Sequence, residues 1–138
     1  ASTSSSSGLG LYLCGIRNPE LRVTLNLANL ACPDCTDLTG LYIMPLTTVS
    51  GTVYKFGPTY SSSSPACAGT LQVTVTYDTA SNALTIYTLL QGSSDDAGQY
   101  RLNPACAQLT TGVDVPWYGG SQFRCEMAPT CYAKLVAT

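Results

Sequence analysis

Leu21, Val23, Leu25 and Leu27 alternate with Arg22, Thr24 and Asn26, the period of two that marks a strand with one buried and one wet face. The same period returns at Leu71, Val73, Val75 and Tyr77, set against Gln72, Thr74 and Thr76. Turn residues from Asp78 to Asn82 then lead into a second apolar run over 83–90, so the two runs predict an antiparallel hairpin. Further strands are expected over 40–44, ended by Pro45, and over 52–56, closed by Gly57 and Pro58. Shorter ones are expected over 99–102, 121–127 and 131–137, with 58–66 as an exposed loop and 92–98 as a turn. No window of about 11 residues carries a capped 3.6-residue period, so no helix is expected. Strands spaced by about 8–12 residues, with Gly, Pro, Asn and Asp turns between them, predict a single-domain, all-β fold: an antiparallel β-sandwich, Ig-like or pilin-like.

A different pattern precedes the first clear strand. Residues 1–8 are polar and Ser-rich, and Leu9, Leu11 and Leu13 then alternate with Gly10, Tyr12 and Cys14. The chain therefore divides into an extended N-terminal segment, residues 1–13, and a β-domain, residues 14–138. An alternating apolar segment suits addition to the sheet of another subunit, because an edge strand offers unpaired N–H and C=O groups. Such a head-to-tail contact does not close on itself and builds a filament of identical subunits. The plainer reading of Leu9, Leu11 and Leu13 is a first strand of the chain's own sheet.

Composition narrows function by exclusion. The 138 residues include 6 Lys+Arg, 8 Asp+Glu and no His. A net charge of −2, with the cations scattered singly, gives no footprint for nucleic acid or an anionic membrane surface. Apolar runs are only a few residues long, too short for a transmembrane helix. Without His, the commonest general base and the commonest zinc ligand are both missing. No enzyme is expected, and no metal or other cofactor.

Seven cysteines, Cys14, Cys32, Cys35, Cys67, Cys106, Cys125 and Cys131, are spread through this charge-poor chain. They predict a disulfide framework formed in an oxidising compartment. The odd count leaves one thiol over, expected at Cys14, directly after the alternating segment. Cys32-Pro33-Asp34-Cys35 has the spacing of a redox or half-zinc motif. A redox thiol needs a helix N-terminus to lower its pKa, and zinc needs two more ligands. Neither is expected, so structural bridges are the reading. Beginning at Ala1, the chain reads as the mature form of an exported protein, secreted and extracellular or at the cell surface.

From Leu21 to Met44 the sequence runs L-x-V-x-L-x-L, a short gap, C-x-x-C, then L-x-G-x-Y-x-M; a later C-x-G-x-L-x-V spans Cys67 to Val73, and a terminal strand carries Cys131. In this the chain resembles small Cys-rich β-modules of secreted bacterial proteins, over about residues 14–138. The resemblance implies an exported, disulfide-bonded β-domain with a structural or surface role, such as a subunit of an extracellular fibril, and no attached chemistry.

Hydroxyls form two runs: Ser2, Thr3, Ser4, Ser5, Ser6 and Ser7 near the start, and Thr59, Ser61, Ser62, Ser63 and Ser64 between Pro58 and Pro65. Exposed runs of this kind are acceptors for covalent O-linked glycans, whereas no Asn-x-Ser/Thr sequon is present. Trp117 and Tyr118, beside Gly119 and Gly120, offer flat faces on which a sugar could stack. Asp95 and Asp96, with Asp114 or Glu126, form a candidate carboxylate cluster, read instead as residues that cap turns. The resulting expectation is a secreted structural subunit that assembles into an extracellular filament by N-terminal strand donation, decorated with O-glycans. The alternative is a monomeric extracellular carbohydrate-binding or adhesion module working through Trp117.

Overall fold

The computed structural model describes residues 12–26, 39–62, 70–90, 98–102, 105–116 and 130–137. The strands are β1 (Pro19–Asn26), β2 (Gly40–Ser50), β3 (Val53–Tyr60), β4 (Leu71–Asp78), β5 (Ala83–Leu90), β6 (Gly98–Leu102), β7 (Val113–Pro116) and β8 (Thr130–Ala137), with one helix, α1 (Cys106–Thr111), between β6 and β7. They form an antiparallel sheet in the order β6-β5-β4-β3-β2-β1-β8-β7. Sequence alternation becomes burial: Leu21, Val23 and Leu25 are buried while Arg22 and Thr24 face solvent. On β4, Leu71, Val73, Val75 and Tyr77 are likewise buried. The expected hairpin is present, with β4 and β5 in register from Asp78↔Ala83 to Leu71↔Leu90.

Its turn is held by side chains. Asp78 Oδ1 accepts from the Thr52 hydroxyl (2.7 Å) and from the Ala80 N–H (3.0 Å), bonds that hold its carboxyl below the usual value. The Tyr77 phenol donates to Asn82 Oδ1 at 2.8 Å, and Asn82 takes the left-handed backbone that Asn tolerates.

Strand β2 serves two partners. Residues 40–45 pair with β1, and residues 46–50 pair with β3. Pro45 was expected to end the strand. It does not, because it stands where β2 exchanges neighbours, and a missing N–H is tolerated there. Gly57 and Pro58 do not close β3 either: they lie within a register shift between Phe56 and Thr59 that absorbs them as a bulge. The loop expected from residue 58 therefore starts after Tyr60. The two-partner strand curls the sheet, and inner faces from both halves meet in a single cluster. Val23, Leu25 and Leu135 come from one half, Phe56, Val75 and Ile86 from the other.

Helix α1 was not expected. It has only six residues, too few to display a helical period. The Gln108 side chain accepts the Ala105 N–H at 2.8 Å, satisfying a donor at the helix start, and Leu109 anchors the helix in the core. At its other end Gly112 has φ +102°, and the Gly112 N–H donates to the Gln108 carbonyl at 2.7 Å. The Tyr132 phenol donates to the Thr111 carbonyl (2.8 Å) and fills the space where a Cβ on residue 112 would go. Gly112→Ala therefore meets both a backbone penalty and a collision, and is expected to destabilise the fold by about 2–4 kcal/mol in urea unfolding. Adding Tyr132→Ala should relieve the collision alone, so the double variant should be more stable than the two single effects predict. Simple additivity would show that Tyr132 is not the obstacle.

Candidate functional site

The residues singled out for self-assembly divide at Tyr12. Leu9 and Leu11 lie outside the described residues, whereas Leu13 is only 2% exposed and belongs to the core of its own chain. Leu13 and Ile16 exchange two main-chain bonds, Leu13 N–H to Ile16 O at 3.0 Å and Ile16 N–H to Leu13 O at 2.8 Å. Between them Cys14 (φ 55°) and Gly15 (φ 80°) both adopt positive φ, the backbone of a tight two-residue hairpin turn. The Tyr54 phenol donates to the Tyr12 carbonyl at 3.4 Å. Leu13 is thus withdrawn from any donated segment: it belongs with the domain, and a donated segment can comprise only residues 1–11.

Cys14 is disulfide-bonded to Cys106 at the start of α1, across a sequence separation of 92. This corrects the expectation that Cys14 carries the leftover thiol. The free cysteine among the described residues is Cys131, a bridge candidate that is instead a buried thiol on β8. Desolvation pushes its pKa up to about 12, with the Asp114 carboxylate adding to the effect. Cys32, Cys35, Cys67 and Cys125 lie outside the described residues. They make an even set of four, as further bridges require.

The sheet opens between β2 and β3. These strands pair from Ser50↔Val53 to Leu46↔Phe56, and among the described residues no pairing joins them beyond that point. Thr47 fastens the fork: its hydroxyl lies 3.1 Å from the Lys55 carbonyl oxygen and 2.8 Å from that of Gly57. Past the fork lies a cleft of about 420 Å³, lined by Gly40, Leu41, Tyr42 and Ile43 on one side and Thr59, Tyr60, Ser61 and Ser62 on the other, with Thr39 at its end. Consecutive residues line both walls. On one face of a sheet only alternate residues would do so, so the cleft opens edge-on, in the plane of the strands. Its apolar groups are exposed: Leu41 by 54%, Ile43 by 43% and Tyr60 by 58%.

The second hydroxyl run forms part of this cleft. Ser61 N–H donates to the Leu71 carbonyl, and Leu71 N–H returns a bond to Ser61 Oγ, both at 2.9 Å. Paired residues in an antiparallel ladder alternate between bonded and non-bonded. With Ser61 bonded to Leu71, Tyr60 opposite Gln72 turns its main-chain groups away from β4, toward the cleft. The Ser61 hydroxyl also donates to the Ser62 carbonyl at 2.7 Å, a bond that an O-glycan would remove. Thr59 is half-buried and Ser62 is exposed. Ser2, Thr3, Ser4, Ser5, Ser6, Ser7, Ser63 and Ser64 lie outside the described residues.

Sequence reading missed the cleft, although a signal was present. Leu41, Tyr42, Ile43 and Met44 are apolar on both faces of one strand, whereas β1 alternates with Arg22 and Thr24. A two-sided apolar run in an antiparallel sheet signals an outer face that water does not fully claim. Of the other candidates, Asp114 is exposed on β7, while Asp95, Asp96, Trp117, Tyr118 and Glu126 lie outside the described residues. Among the described residues no group of three His, Cys, Asp or Glu is placed to hold a metal ion. No family model, curated protein or solved structure matches the chain.

Proposed function

We propose that this chain is a secreted structural subunit that assembles head to tail into an extracellular filament by donating its N-terminal segment to a neighbouring copy. The observation that carries this reading is the anchored root of that segment. Leu13 is buried in the core and Cys14 is tied to Cys106, so residues 1–11 are joined to the domain at a point that cannot slide. A donated strand transmits load only when its base is fixed, and a disulfide resists extraction of that base. Main-chain hydrogen bonds would supply continuity, and Leu9 and Leu11 side-chain contacts the register. In this reading the domain is a β-sandwich, it performs no catalysis, and O-glycans decorate the exposed Ser and Thr runs. An oxidising compartment suits the disulfide.

Deletion of residues 1–11, which spares Leu13, is the test. Wild type should elute as polymers and show filaments by negative-stain microscopy, and the truncated chain should elute as a folded monomer. Polymers from the truncated chain would overturn the reading.

A further inference from the structure

We infer that the cleft between β2 and β3 is the acceptor for strand donation, and that its occupant is the Leu9–Leu11 segment of a second copy of this chain. The inference rests on the strand-donation reading and gives it an address. The two walls are strands that pair at one end and part at the other, and the cleft lies between their edges. Tyr60 turns main-chain groups into it, and Leu41, Ile43 and Tyr60 offer apolar surface at its mouth. Since β2 and β3 run antiparallel, an inserted segment lies antiparallel to one wall and parallel to the other.

The root of the segment is at Tyr12, whose carbonyl accepts the Tyr54 phenol near the closed end of the fork. Residues 1–11 together reach roughly 36–40 Å, enough to leave one domain and lie along the wall of another. The matching chemistry is simple: an uncharged, alternating segment with glycine beside each leucine meets a cleft whose lining, among the described residues, carries no charged side chain.

The experiment uses the full chain carrying Leu41→Asp and Ile43→Asp, compared with wild type and with the chain lacking residues 1–11, by size-exclusion chromatography with light scattering. Each altered chain alone should be monomeric, the first with a spoiled acceptor and the second without a donor. Mixed, they should form a one-to-one complex, because each supplies what the other lacks. Polymers from the aspartate variant, with the truncated chain monomeric, overturn the cleft and leave donation standing. Polymers from the truncated chain, or a monomeric wild type, overturn donation itself. Should the aspartate variant lose its near-ultraviolet circular dichroism, Leu41→Thr with Ile43→Thr replaces it. That pair keeps strand propensity and should raise the critical concentration for assembly at least tenfold; an unchanged value overturns the cleft.

Discussion

Replacing Cys14 and Cys106 together by serine is expected to lower stability by about 4–5 kcal/mol. The bridge closes a loop with a sequence separation of 92. Loop-closure entropy for a ring of that size amounts to about 4.6 kcal/mol at 25 °C. The native side adds a local reason. Cys14 sits at φ 55°, in the Leu13–Ile16 hairpin turn, a conformation that costs a non-glycine residue free energy. The bridge holds that turn against α1, and with it Leu13 in the core. Urea unfolding should show the midpoint falling and the slope rising, since the uncrosslinked denatured chain exposes more surface. The melting temperature should fall by about 15 °C. A loss below about 1 kcal/mol would mean that the root is held without the bridge, and would remove the anchoring argument for donation.

How much of this was legible in the sequence depends on range. The β4–β5 hairpin was, because both its strands and its turn lie within one short stretch: two-residue periodicity and the residues Asp78 to Asn82 are sufficient. The buried face of β1 was legible for the same reason. Failures came where a local signal has a remote resolution. Pro45 and Gly57-Pro58 are strand breakers by local chemistry, yet one falls where β2 exchanges partners and the other inside a bulge, and both features are set by pairing across the sheet. The Leu9, Leu11 and Leu13 pattern says that leucines seek a core but not whose core, and Leu13 found its own. Cys14 finds Cys106 across a distance that spacing does not encode. The cleft combines all of these: an apolar two-sided run, a proline, a glycine and a serine loop, each legible and none meaningful until β2 and β3 part.

The second large effect lies at high pH. Cys131 is 2% exposed among apolar neighbours on β8, and burial holds its thiol protonated up to about 12, against an ordinary value near 9. The native state therefore keeps a proton that the unfolded chain releases. Stability from this group is fully present below about pH 9 and is lost as pH rises toward 12, by about 1.4 kcal/mol for each pH unit, reaching about 4 kcal/mol. The comparison that isolates the thiol is with Cys131→Ala. At pH 7 that variant should be the less stable chain by about 1–2 kcal/mol, having lost a buried sulfur. Between pH 9 and 12 wild type should lose the additional stability and the variant should not, so the two urea-derived stability curves should cross. The same physics predicts kinetics: a thiol reagent should leave Cys131 untouched in the native state, and label it only at the rate of unfolding. Rapid labelling of the folded protein at pH 8, or parallel stability curves to pH 12, would place Cys131 outside the dry interior and would detach β8 from the core assigned to it.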